Sequence, residues 1–185
     1  MLILEINNKR NKMSDDFRFV SDIASSLSEF KKLISSNIFN QPQNPFFKSA
    51  LIHLLILSRD LTHKSYIKGK TIDFTDDMVV TNKINNVTFL IKHARDAVCH
   101  IDSDNHVLSK ENNIMFTYNV IVGKGVLAQF GDLVMSSDFD DDICIFFGDQ
   151  KIYLFRHIIR AVKEAESYLK ELYKNSEYNF FLSNC

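Results

Sequence analysis

The hydrophobic positions of this chain form three helical stripes, then an alternating stretch, then a fourth helical stripe. Phe19, Ile23, Leu27, Phe30 and Ile34 recur at three- and four-residue steps, the spacing that lines one face of a helix. They predict a first helix over about residues 15–37. Gln41-Pro42-Gln43-Asn44-Pro45 interrupts it, and Pro45 suits the first turn of a second helix over about 45–68. That helix carries Phe47, Leu51, Leu54 and Leu61 on one face and Ile52, Leu55 and Ile56 on another. A helix apolar on two sides belongs in the middle of a bundle or at a subunit contact. Gly69 ends it. After a polar connection, Ile84, Val87, Ile91, Ala94, Val98 and Ile101 keep steps of 3, 4, 3, 4 and 3, which predicts a third helix over about 83–101.

The period then changes to two. Ile114, Phe116, Tyr118, Val120 and Val122 fall at every second position, as on one face of a half-buried strand. Gly123-Lys124-Gly125 is a hairpin turn candidate, and further short strands fit 126–130, 132–136 and 143–147. The acidic run Asp138–Asp142 is expected in a solvated loop. Gly148-Asp149 is expected to open a fourth helix, with Asp149 as its N-cap and Ile152, Phe155, Ile159, Val162, Leu169 and Leu172 on its inner face. The fold class expected is mainly α: a four-helix up-down bundle with a small antiparallel β insert, about 114–147, between the third and fourth helices. Residues 1–13 are expected to form a loosely held N-terminal segment, and residues 14–185 a single helical domain.

Composition narrows the function classes. The formal net charge of −1 excludes a uniformly basic nucleic-acid coat. The charge is uneven, however. Residues 1–75 carry 11 basic and 7 acidic side chains, whereas residues 76–150 carry 5 and 12. Residues 151–185 carry 6 and 4, so an anionic ligand is expected against helices from the two ends of the chain, not the acidic middle. Three cysteines, at 99, 144 and 185, make no paired framework and no CxxC, which argues for a reducing cytoplasmic setting. No apolar run reaches the roughly 18–20 residues of a membrane span, so no membrane association is expected. The opening Met1-Leu-Ile-Leu-Glu-Ile is too short for a signal peptide.

The most definite chemistry lies in Arg95-Asp96-Ala97-Val98-Cys99-His100. A guanidinium can hold a phosphate, and an imidazole can move a proton near neutral pH. On an ideal helix Asp96 and His100 are i, i+4 neighbours, so the carboxylate can orient the ring. Arg95 lies roughly 140° from His100; a long arginine side chain, a loosened last turn or a second protomer would have to bring the two together. His93, Asp96 and His100 share a face, but His93 and His100 are roughly 10.5 Å apart along the axis, too far for one metal ion to gather easily. No metal and no cofactor is expected. Arg59-Asp60-Leu61-Thr62-His63 is a second Arg-Asp…His group, on the second helix.

That six-residue stretch, late on a third helix, resembles the signature of HEPN-domain proteins: an arginine, a short spacer opening on a polar residue, then a histidine. The resemblance implies a HEPN-like bundle and a homodimer whose two signatures line one cleft. It implies a metal-independent endoribonuclease in which the 2′-hydroxyl attacks the adjacent phosphorus and leaves a 2′,3′-cyclic phosphate. His100 would transfer the proton, Arg95 would stabilise the charged transition state and Asp96 would position a partner or substrate. Arg59, His63 and His93 are candidate substrate-binding residues. RNA is the expected substrate, and a toxin or defence role with an antitoxin or regulatory partner is what the family suggests. In HEPN toxins paired with a nucleotidyltransferase antitoxin a tyrosine often follows the histidine by two positions; Asp102 stands there, so control by tyrosine modification loses support.

Structural readings of the same residues stand beside these. Arg95 suits an interhelix salt bridge, and His100 suits a helix C-terminus. Arg59 and His63 suit an interhelix polar cluster. A non-catalytic dimeric module binding nucleic acid or a protein partner is the alternative function. A small-molecule pocket is a third.

Overall fold

The structure, a computed structural model, describes residues 2–100, 102–111, 113–131 and 133–185, with side chains from Asp16 onward. Five α-helices run along these residues: α1 (Leu2–Ser35), α2 (Phe47–Ile67), α3 (Val87–Cys99), α4 (Arg160–Tyr173) and α5 (Asn179–Ser183). Seven strands occupy most of the chain between α3 and α4: β1 (Val107–Ser109), β2 (Ile114–Met115), β3 (Asn119–Val122), β4 (Gly125–Phe130), β5 (Leu133–Ser137), β6 (Ile143–Phe147) and β7 (Gln150–Tyr153). They form three antiparallel sheets, β1-β2, β3-β6-β7 and β4-β5.

The expected mainly α four-helix bundle is therefore not the architecture. The molecule is α+β, and the strands are part of its core. All five residues of β6 are buried. Ile143, Ile145 and Phe147 point into the core shared with the helices. Cys144 and Phe146 point the other way, into a second core with Phe116, Met135 and Tyr153. A strand with apolar neighbours on both faces has no solvent side, so the sheet is an internal layer instead of an appended insert.

The helical part follows from its pattern. Val20, Ile23, Leu27 and Phe30 of α1 are buried against α2. Gly69 ends α2 in a left-handed conformation, φ 100°, that glycine adopts without strain. Helix α2 packs on α1, α3 and α4, the central position that its two apolar faces predicted. Of the second face, Leu55 is fully buried within the chain, whereas Ile52 is half-buried and Ile56 is 46% exposed. Asn86 caps α3, its Oδ1 accepting from the Phe89 N–H at 3.2 Å, which starts the helix later than Lys83. The expected contribution of Ile101 lies outside the described residues.

The start of the fourth helix is the second correction. Gly148-Asp149 is the turn between β6 and β7, and the chain turns helical only at Leu154, through a π-helical stretch, Leu154–Ile159. Its cap is Asp142, the last residue of the acidic run. This carboxylate is buried and accepts N–H bonds from Ile143 (2.7 Å), Phe155 (2.8 Å) and Arg156 (3.0 Å), with the Arg156 guanidinium at 3.2 Å. A carboxylate that satisfies the free N–H groups of a helix start needs no solvent.

Two contacts fasten the layers. Gly148 (φ 53°) backs onto the 3-10 turn at Asp104–His106, and its N–H donates to Phe116 O at 2.8 Å. A Cβ there would stand 2.5 Å from Asn105 O. His157, fully buried, accepts the Tyr153 N–H at Nδ1 (3.1 Å) and donates Nε2–H to Asp76 O (2.8 Å), tying the connector after α2 to the start of α4.

Gly148→Ala is expected to cost about 2 kcal/mol or more, since it adds both backbone strain and a clash with main-chain oxygen; a denaturant midpoint unchanged from wild type would contradict this. His157 gives a pH signature. Burial holds its imidazole below the ordinary 6.5, so the unfolded chain binds the proton more readily. Its contribution to stability is complete above about pH 6.5 and is lost as pH falls through the folded value. The melting-temperature gap between wild type and His157→Gln should therefore narrow from pH 7.5 to about pH 5.

Candidate functional site

Helical spacing sets two pairs of functional side chains, each headed by an arginine. Arg59 and His63 are one turn apart on α2, and Arg95 and Cys99 one turn apart on α3. Since α2 and α3 pack side by side, these four side chains, with Ile56 and Asp60, line one open hollow of about 570 Å³. Asp60 is held from behind: its Oδ2 accepts from Lys64 Nζ at 2.6 Å and from the Ser26 hydroxyl at 2.8 Å. The pair Lys64–Asp60 is thereby spent inside the helical layer.

Arg59 is different. Its Nε and Nη1 are buried and have no hydrogen-bond partner among the described residues. Burial first, and the Arg95 charge next, push its pKa below the usual guanidinium value, against the opposing pull of Asp96 and Asp60. Buried N–H donors on a cation normally find an acceptor. Two guanidiniums thus border one hollow, and the bare Nε and Nη1 of Arg59 lie shut off from solvent beneath its surface. His63 joins them; burial and then Arg59 hold its imidazole below 6.5. The ring also stacks on Tyr66, centroids 6.1 Å apart.

The two halves of the Arg95…His100 stretch part company. Arg95 Nη1 pairs with Asp96 Oδ1 at 2.9 Å, so Asp96 turns its carboxylate to its neighbour instead of to His100. The α3 helix ends at Cys99, and His100 is already extended, φ −122° and ψ 104°, its N–H bonded to Asp96 O at 3.1 Å. Asp96, Cys99 and His100 line an adjoining hollow of about 590 Å³ with Asp102, Ser103 and Asn105. Cys99 is common to both. His93 faces neither: it lies beside Phe147 and lines a third hollow with Lys83, Asn105, Asp149 and Gln150. Of the six candidates, Arg59, His63 and Arg95 share one hollow, Asp96 and His100 share the next, and His93 stands apart.

Cys99 was not singled out from the sequence, although its i+4 spacing from Arg95 put it on the same face. The end of α3 is fixed from the strand side. His106 is buried and its Nε2–H is bonded to Ala97 O, which satisfies one of the last carbonyls of α3. Among the described residues no group of three or more His, Cys, Asp or Glu is arranged to hold a metal ion, and no helix is long and apolar enough to cross a membrane. No protein-family model, no curated protein and no solved structure matches the chain.

The bare donors of Arg59 predict a trade between stability and binding. Arg59→Met keeps the packing stem and removes two buried unpaired donors, so stability should be unchanged or raised by up to about 1 kcal/mol. Affinity for a short RNA oligonucleotide should fall about tenfold or more in fluorescence anisotropy. A destabilised variant with unchanged affinity would show that the guanidinium serves the fold.

Proposed function

We propose that the α2–α3 groove binds the RNA backbone and cleaves it without metal. The observation that carries this is the single hollow shared by Arg59, Arg95 and His63. The guanidiniums hold one phosphodiester and stabilise the charge that builds on its oxygens. A neutral imidazole takes the proton of the 2′-hydroxyl as that oxygen bonds to phosphorus, and an imidazolium returns a proton to the departing 5′-oxygen. The products are a 2′,3′-cyclic phosphate and a 5′-hydroxyl. His63 fits the base because it shares the phosphate hollow and its pKa is held down. His100 fits the acid in the neighbouring hollow, supplied by the same chain or by a second copy in a homodimer. The resemblance of residues 95–100 to the HEPN ribonuclease signature points to the same chemistry.

A second reading is favoured by one feature. Arg95 and His100 line separate hollows, which suits a module that binds RNA without cutting it. Incubation of the protein with a structured RNA in EDTA separates the two. The enzyme reading expects cyclic-phosphate ends, a rate that passes through a maximum with pH, its rising limb set by a base held below 6.5, and losses of about 100-fold or more in Arg95→Ala and His63→Ala. RNA that is retained but uncut at every pH supports the binding module.

A further inference from the structure

A separate hollow lies where the three sheets meet. Met135 and Ser136 on β5, Phe146 on β6, Gln150 and Lys151 on β7, and Leu108 on β1 line a space of about 180 Å³. Val79, Leu133, Val134 and Asp149 complete the lining, the three aliphatic residues being 47%, 45% and 46% exposed. Three half-exposed aliphatic side chains gathered on one concavity are apolar surface left without a partner. A cavity of about 150 Å³ is known to take a single benzene ring.

The polar groups of this hollow select what can enter. Lys151 is not free: its ammonium donates to Asp138 Oδ2 at 2.6 Å and to Ser136 O at 3.1 Å. Asp149, in the lining, adds negative charge. Both facts disfavour an anion. Gln150 is 2% exposed; its Nε2 donates to Asp149 Oδ1 at 3.2 Å, and its Oε1 has no hydrogen-bond partner among the described residues. A buried bare carbonyl oxygen is a cost that a donor would relieve. Gln150 borders the hollow, so a bound donor that reaches its Oε1 would relieve that cost.

We propose that this hollow is a binding site for a small neutral molecule, of about one ring in size, mostly apolar and carrying one O–H or N–H donor for Gln150. The site is distinct from the α2–α3 groove and stands whether or not RNA is cut there. The apolar body buries the exposed faces of Val79, Leu133 and Val134, and the donor meets the Gln150 oxygen.

Phenol and toluene test this directly, because they share a shape and differ in the donor. Each is titrated into the full-length protein labelled at methyl groups, and shifts are read by NMR. Phenol should give saturable shifts centred on Met135, Leu133 and Val134, with an affinity about tenfold above that of toluene, although toluene is the more hydrophobic. In Gln150→Leu the order should reverse, with toluene the tighter. Val134→Trp, a substitution at a half-exposed rim position, should weaken both probes even if Gln150→Leu does not fold. No saturable shift with phenol by about 10 mM, shifts centred elsewhere, or toluene binding as well as phenol in the wild type would each overturn the proposal.

Discussion

Strand β6 is the constraint on which the rest of the structure depends. Five consecutive buried residues, Ile143 to Phe147, separate a helical core from a second core built of strand residues. Both cores lose their floor without it. Its two ends are fixed by chemistry that only those positions can supply. Before it, the Asp142 carboxylate caps the π-helical start of the last long helix. After it, Gly148 closes against the backbone of residues 105 and 107. The same contact positions the candidate site: Gly148 abuts the turn that carries His106, and His106 binds the last turn of α3. The end of the helix bearing Arg95 and Cys99 is thus set by the sheet.

Much of the helical layer was legible, because a 3.6-residue period with few interruptions admits one reading. The bounds of α1 to α3 shifted by local chemistry: Asn86 sets the start of α3, and His100 has already left the helix. The last long helix was misread for a specific reason. Ile152, Phe155, Ile159 and Val162 keep helical steps, yet Ile152 belongs to a strand and Phe155 is 44% exposed. A strand that runs straight into a π-helical turn mimics a longer helix in spacing alone. The unbroken apolar run at 143–147 was read as a strand. Its lack of alternation also carried the sign of burial on both faces. Nothing in the acidic run distinguishes the buried Asp142 from its exposed neighbour Asp141, since the difference arises from a helix start more than ten residues away.

The site was half legible. Arg95, Asp96 and His100 were found as a contiguous stretch, and Arg59 and His63 as a similar group on another helix. Sequence spacing says which residues share a face of one helix; it does not say which faces of two helices meet. That pairing places Arg59 and His63 beside Arg95 and leaves Asp96, His100 and His93 to other surfaces. The chain keeps a cation with bare donors at that junction where a methionine would pack at lower cost.

The central claim is that Arg59 and Arg95 act on one phosphate. A double-mutant cycle on RNA binding tests it most directly, comparing wild type, Arg59→Met, Arg95→Ala and the pair. Two groups that hold the same anion are coupled, and the account predicts a coupling energy of about 1 kcal/mol or more. Strict additivity, with each substitution weakening binding by the same factor whether or not the other is present, would contradict it.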